Sequence, residues 1–494
     1  MQSKDKRECG VLLHITSLPS AYGIGSLGTQ SYRFIDFLAL SGQKYWQILP
    51  LVPIGEGNSP YKSTSCFAGE PLLIDLELLV QSGLLTADEL PRKINNDRVD
   101  YNLVRHIKQP LLTLAANRFD TKNNLYRNFV KRNSWWLDDY ALFAAYCAQN
   151  NSECLSDMDE AMRYRFPDAL QEFKETHPMA IQVHKILQFL FYDQYSAMHR
   201  YAAKRGIKII GDIPFYVSLD SADVWTNPDE FRLGRNLVPV RVAGVPPDIF
   251  SSSGQLWGNP VYDWEHQKKT GYSWWRKRLK YCAELYDVLR IDHFRAFESF
   301  YSIPYGAKDA KIGIWEKGPN MAFWKSVANE IKGLQIVAED LGGEEPEVEK
   351  LVLNTGFPNM KVLQFGFDKD LQNKFLPRNY PRNCVCYTGT HDNDTALGWW
   401  NNATANERLL FERIAPERDW SIPYRMIAMA LQSKARLVII PMQDWLELDS
   451  DCRMNTPGTA EGNWEWRMRA DALNDDLSQA MLNICKCRTK SKFL

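Results

Sequence analysis

With 494 residues, 45% of them hydrophobic and 24% charged, and a formal net charge of -1, the chain has an ordinary globular composition and no electrostatic reason to seek nucleic acid or an anionic membrane. A neutral ligand is expected. The length admits about two to four average domains or one large barrel with insertions. No apolar run is long enough to span a bilayer, and the polar start over residues 1–10 is not a signal-peptide core, so a cytoplasmic protein is expected.

Short apolar, β-branched runs bounded by Gly, Pro or Asp predict eight buried strands, over 10–15, 45–49, 207–212, 288–292, 335–339, 361–365, 385–388 and 437–441. Apolar residues recurring at three and four predict helices over 30–41, 183–205, 274–286 and 322–332. Eight strands alternating with helices make an α/β fold, a (β/α)8 TIM barrel with large helical and loop insertions, with a doubly wound open sheet as the alternative.

The spacing between strands is uneven. Residues 66–195, between the second and third strands, are rich in helical pattern and are expected to be an inserted helical subdomain. The barrel is then assigned to 1–65 and 196–494. Residues 214–270, loop-rich, are expected to lie over the active-site groove, because loops after the strands build the sites of such barrels.

The acids fall at strand ends: Asp212 on the third, Asp292 on the fourth, Glu339 and Asp340 on the fifth, Asp392 after the seventh and Asp444 after the eighth. In a barrel these converge on one rim. Some strand-terminal Asp residues cap the following turn, Asp444 foremost. Arg290 and Asp292, two apart in a strand, face the same side. They fit either a structural ion pair or a cation that keeps a catalytic carboxylate ionised. Cleavage of a glycosidic bond needs two carboxyls, one ionised and one protonated, and Asp292 suits the first role. Glu339, leaving an apolar strand beside other acids, suits the second. Asp392 could hold two sugar hydroxyls, and His391 could donate a further hydrogen bond.

Among 16 Trp, 22 Tyr and 23 Phe, most must be core, and a minority could line a sugar groove. His391-Asp392-Asn393-Asp394 could alternatively ligate a metal, but the first strand lacks the paired histidines of metal-dependent barrel hydrolases. Gly23-Ile24-Gly25-Ser26-Leu27-Gly28 matches the dinucleotide pattern by letter but lies too far past its strand, and it is read as a flexible rim loop. The ten cysteines, including the close pairs Cys384/Cys386 and Cys485/Cys487, lack zinc-site spacing and are read as free buried thiols.

Several long motifs in order carry a family resemblance. They are residues 14–18 and 22–28, Ser59-Pro60-Tyr61, Gly211-Asp212-Ile213-Pro214, Gly244 to Asp248, Gly254-Gln255-Leu256-Trp257-Gly258-Asn259-Pro260, 290–295, 338–342, 389–395, Arg453-Met454-Asn455 and Pro457-Gly458. The chain resembles, essentially end to end, the amylomaltases or 4-alpha-glucanotransferases, in the clan of the alpha-amylases. The resemblance implies a retaining double displacement that moves α-1,4-glucan segments between malto-oligosaccharides, linear glucans and glucose, with no metal and no organic cofactor. It implies Asp292 as nucleophile, Glu339 as acid/base and Asp392 as transition-state stabiliser. Arg290 and His391 would flank the donor sugar and Tyr61 would stack beneath it. Asp212, Gln255 and Trp257 would line the groove, and Ser59, His293 and Asp340, within the matched motifs, complete the expected substrate-binding set. Hydrolysis of the same bond and a non-catalytic glucan-binding barrel are the alternatives. The chain departs from the family pattern at Ile15, at Ala296, and at Glu447 and Asp449, where glycines are usual after the last strand.

Overall fold

A computed structural model describes residues 7–152, 154–247, 251–342, 345–368, 370–416 and 419–489. Residues 1–6, Asp248 and the Cys487 side chain lie outside the described residues.

All eight expected strands are present. They are β1 (Glu8–Leu12), β2 (Tyr45–Gln47), β3 (Lys208–Ile213), β4 (Val288–Ile291), β5 (Gln335–Ala338), β6 (Asn359–Val362), β7 (Cys384–Tyr387) and β8 (Leu437–Pro441). Each is parallel to its neighbours, and they close in sequence order, β8 pairing with β1. The open-sheet alternative is excluded by that closure. These strands read as continuous apolar runs because both faces are covered, the inner by barrel side chains and the outer by helices.

Helices follow the strands. α1 (Thr29–Leu40) buries Phe34, Ile35 and Leu38 between β1 and β2. After β2 the chain leaves the barrel for α2 (Tyr101–Arg118) and α3 (Asn124–Asn150), then returns through α4 (Pro178–Lys204), which leads into β3. Position 195, the expected end of the inserted subdomain, lies within α4. Leu137 and Phe143 of α3, Phe191 of α4, Ile210 and Leu289 belong to one continuous apolar core, so the insertion and the barrel share their interior. α5 (Ser273–Leu285) precedes β4. The helix expected over 322–332 is shorter, α6 (Asn320–Ser326), because Val327, Asn329 and Gly333 favour the turns that follow. α7 (Ile422–Gln432) precedes β8, and α8 (Asp475–Cys485) packs against α1 and α7 on the outside of the barrel.

Residues 214–270 are more regular than expected. They contribute strands Arg241–Val245 and Gln255–Pro260 to a four-stranded antiparallel sheet completed by Ser299–Pro304 and Ile314–Lys317 from the segment after β4. Two loops thus pair into one sheet beside the groove. The glycine-rich stretch 23–28 is packed rather than flexible. A Cβ on Gly25 would lie 1.7 Å from the Ile15 carbonyl oxygen and one on Gly28 2.0 Å from Asp75 Oδ2, so glycine is needed for close approach. No described helix is long and apolar enough to cross a membrane.

Candidate active site

The site grows from the register of β3 against β4. Asp212 pairs with Arg290 across the ladder, so the two side chains share a face, and Arg290 Nη1 donates to Asp212 Oδ2 at 2.6 Å. Asp292 lies two residues beyond Arg290 on that face, and Arg290 Nη2 donates to its Oδ1 at 2.9 Å. The guanidinium is buried, at 3% exposure, while the Asp292 side chain keeps 30% of its surface open. Tyr61 Oη donates to Asp212 Oδ2 at 2.8 Å, which fixes the ring over the strand ends. Asp212 itself is sealed, with its Oδ1 buried and unpartnered. It anchors Arg290 and Tyr61 and presents no surface to the groove.

Immediately after Asp292 the backbone turns sharply. His293 adopts φ +49°, a left-handed conformation unusual for a side-chain-bearing residue. Its N–H thereby reaches Glu339 Oε2 at 2.7 Å, while Leu341 N–H reaches Glu339 Oε1 at 2.8 Å. The ladder continues one step past the strands, with Asp292 N–H on the Ile213 carbonyl at 3.0 Å and Glu339 N–H on the Ile291 carbonyl at 3.2 Å. Both acids therefore stand on the carboxyl rim. Asp340 does not join them: its two oxygens accept from Asn359 Nδ2 and Met360 N–H, each at 3.1 Å. A carboxylate engaged in this way fastens the start of β6.

The loop after β7 supplies the third acid. Asn455 Nδ2 donates to Asp392 Oδ1 at 2.6 Å, Arg453 donates to the Asp392 carbonyl, and His391 Nε2 lies 3.4 Å from Asp392 Oδ2. The His391 ring stacks on Tyr61 with centroids 5.2 Å apart and planes 14° apart. Trp464 closes the cluster, 5.7 Å from Tyr61 and 5.8 Å from His391. Its backbone is also left-handed, at φ +65°, and its carbonyl accepts from Tyr101 Oη of α2 at 2.8 Å. On the opposite wall the antiparallel sheet presents Trp257, whose ring meets His293 edge-on at 4.8 Å and whose Nε1 donates to Gln255 Oε1 at 3.1 Å. Ser59 Oγ accepts from Tyr61 N–H at 3.2 Å, so it shapes the Tyr61 turn.

Arg453, Asn455 and Trp464 were not among the expected site residues. Arg453-Met454-Asn455 stood out as a motif, but nothing local ties it to Asp392, some sixty residues earlier, and Trp464 is hidden among many tryptophans.

Burial sets the electrostatics. It pushes the Asp292 carboxyl up to about 8, with Arg290 the main opposing influence and Glu339 reinforcing the rise. Burial raises Glu339 as well, against Arg290 and the two backbone N–H groups. The expected depression of Asp292 by Arg290 is therefore outweighed by desolvation. Two interacting acids in this state take up protons as a pair. Burial alone would lower Arg290, but Asp212, Asp292, Tyr61 and Glu339 keep it cationic. Burial lowers His391 despite Asp392, leaving the imidazole neutral near pH 7.

The metal alternative at 391–394 meets a divergent geometry: Asp392 Oδ1 is taken by Asn455, and Asp394 accepts from Thr395 N–H and Ser450 Oγ at 2.8 Å each. Among the described residues no group of three or more His, Cys, Asp or Glu is arranged to hold a metal ion. Asp444 does not cap the turn after its own strand: it lies within the short helix Met442–Trp445 and reaches across to the segment after β7, accepting from Ala396 N–H at 2.7 Å and Thr388 Oγ1 at 2.5 Å.

The sequence profile described as 4-alpha-glucanotransferase matches residues 13–473. The chain belongs to the 4-alpha-glucanotransferase family. It is 46% identical over 485 residues to the 4-alpha-glucanotransferase of Synechocystis sp., covering 96% of each chain. It is 40% identical over 483 residues to that of Clostridium butyricum, covering 96% of this chain and 99% of the relative. Among solved structures, the amylomaltase of Streptococcus agalactiae in complex with acarbose superposes with a TM-score of 0.94 at 36% identity, covering 98% of this chain and 99% of that one. The protein is thus an enzyme of glucan transfer, and its 4-alpha-glucanotransferase barrel carries the carboxylates described above on its rim.

Proposed function

We propose that Asp292 is the nucleophile, Glu339 the acid/base and Asp392 the stabilising carboxylate of a retaining α-1,4-glucan transfer. The observation that carries this reading is Arg290, which links buried Asp212 to Asp292 beside a Glu339 aimed by the His293 N–H. In the working state the acid pair holds one proton, and it resides on Glu339 because Asp292 accepts the charge-assisted hydrogen bond from Arg290.

As an Asp292 oxygen bonds to the anomeric carbon, the glycosidic C–O bond breaks and Glu339 gives its proton to the departing 4-oxygen. Forming the ester discharges Asp292, which lowers the cost of ionising Glu339. Glu339 then takes the proton of an acceptor 4-hydroxyl as that oxygen attacks the anomeric carbon and releases Asp292. Asp392, with Oδ1 fixed by Asn455, offers Oδ2 to the sugar hydroxyls as positive charge develops on the ring. Tyr61, His391 and Trp464 form an aromatic floor for the donor sugar, and Trp257 with Gln255 a wall for the acceptor.

The substrates assigned are malto-oligosaccharides and α-1,4-glucans, with glucose as an acceptor; the S. agalactiae amylomaltase, similar over nearly the whole chain, is bound to acarbose. The nine free cysteines among the described residues suit a reducing compartment, and the enzyme is assigned to the cytoplasm. Incubation with maltotriose is expected to give glucose and longer oligomers without a net rise in reducing ends. Asp292→Asn is expected to lose about a thousandfold or more in kcat. A variant as active as the parent would remove Asp292 from the mechanism, and rising reducing ends without longer products would make the enzyme a hydrolase.

A further inference from the structure

At the floor of the barrel, opposite the catalytic rim, two cysteines far apart in sequence meet. Cys9 lies in β1 and Cys485 ends α8, separated by 476 positions, with Sγ atoms 3.5 Å apart. Neither belongs to the catalytic machinery. Cys9 is buried, and Cys485 is partly open to solvent. Gln43 Nε2 donates to Cys485 Sγ at 3.2 Å. The Arg488 guanidinium follows α8 and is pinned to the floor by the carbonyls of Glu8 at 3.2 Å and Ala435 at 2.6 Å.

We propose that Cys9 and Cys485 are a redox-active dithiol, a modification site that closes to a disulfide on meeting a hydroperoxide and ties α8 to β1. The sulfurs are already in contact at 3.5 Å, and a disulfide needs them to close to about 2.05 Å. The two thiols are electrostatically unequal. Cys485 is the more open of the two and accepts from Gln43 Nε2 beside the Arg488 guanidinium, which favours its thiolate. Cys9 is the buried partner, and burial disfavours its thiolate. Cys485 is therefore the thiolate that attacks and Cys9 the thiol that resolves.

In the first step the Cys485 thiolate attacks the distal oxygen of the hydroperoxide. The O–O bond breaks, and with one proton the products are a sulfenic acid and an alcohol, or water from hydrogen peroxide. In the second, the Cys9 sulfur attacks the Cys485 sulfur, the S–O bond breaks, and hydroxide leaves with the Cys9 proton as water. The dithiol loses two electrons and two protons overall, and the peroxide is reduced.

A link across 476 positions restricts the unfolded chain strongly, and it lies at the barrel end that serves stability. Oxidation is thus expected to raise Tm by several degrees and to leave kcat/KM within twofold. The test treats the full-length enzyme with hydrogen peroxide, alkylates remaining thiols under denaturing conditions and digests with trypsin. Cleavage isolates Cys9 in a peptide spanning 8–33 and Cys485 in one spanning 470–486, each with a single cysteine and apart from Cys487. The expected product is these two peptides joined with loss of two hydrogens and separated by dithiothreitol. Cys9→Ser is expected to leave Cys485 as a sulfenic acid trapped by dimedone. Recovery of both peptides alkylated after peroxide would overturn the proposal. So would a joined pair whose formation leaves Tm unmoved.

Discussion

At the floor of the barrel the Arg488 guanidinium donates to the carbonyls of Leu431, Ser433, Ala435 and Glu8 at 2.6–3.5 Å, so both terminal nitrogens are engaged. Its Nε is buried without a partner, as is Asp212 Oδ1 at the rim; the rim differs in Asp292, whose side chain is 30% exposed and accepts a single hydrogen bond from Arg290. One end commits its cation's terminal nitrogens to backbone carbonyls to hold the fold, and the other leaves Asp292 partly free because a sugar must engage it. Paired substitutions test this contrast. Arg488→Met strands several buried carbonyls and is expected to cost about 3 kcal/mol or more, read as a lower Tm, with kcat/KM of the folded enzyme unchanged. Asn455→Ala, which frees Asp392 Oδ1, is expected to lower kcat about 10- to 100-fold with little change in Tm. Equal losses of Tm and kcat in both variants would erase the distinction between the two ends.

The rim also predicts a pH dependence. Burial raises the folded Asp292–Glu339 pair above the unfolded carboxyl range, so the folded pair binds its proton more tightly than the unfolded chain does. Stability from this pair is therefore full at low pH and is lost as pH rises toward the folded value. Asp292→Asn removes that loss, so the inactive variant is expected to unfold at a higher Tm than the parent at pH 8, with the gap closing toward pH 4. For activity the direction reverses. Below the pH at which the acid pair takes its second proton, Asp292 is neutral and cannot attack. Arg290→Lys keeps a charge but loses the fork that spans Asp212 and Asp292, so Asp292 is harder to ionise. The acid limb of the kcat/KM profile is expected to move up by about one pH unit. An unmoved limb would confine Arg290 to holding the strands together.

The same two ends explain what the sequence made legible. The barrel strands could be read because burial on both faces makes each an apolar run, with boundaries off by up to three residues where the chain leaves the ladder. Asp292 and Glu339 could be placed because strand ends fix where side chains point. The antiparallel sheet was not visible: Ile314–Lys317 is mostly exposed, Gln255–Pro260 contains Gly258 and Asn259, and their order comes from pairing between two separate loops. Asp340 was misplaced for a related reason. It follows Glu339 directly, and adjacent residues leave a strand on opposite faces, so it reaches β6 instead of the groove. Arg453, Asn455 and Trp464 act through contacts distant in sequence, which no local pattern encodes.

The smallest expected effect concerns the loop after β8, where two family glycines are replaced. Glu447 stands at φ +56° just past a short helix, a position where glycine avoids a steric cost, and its side chain is exposed. Asp449, by contrast, has φ -87°, an ordinary value. Its carboxylate accepts from Ser450 N–H at 2.7 Å and Asn401 Nδ2 at 2.9 Å. The two reversions to glycine are therefore expected to have opposite signs. Glu447→Gly removes left-handed strain and is expected to stabilise by up to about 1 kcal/mol. Asp449→Gly gives up two hydrogen bonds and adds unfolded-state freedom, and it is expected to destabilise by about 1 kcal/mol. Thermal unfolding of the two variants decides the matter: a shift of the same sign in both would mean that the loop responds to net charge rather than to backbone conformation.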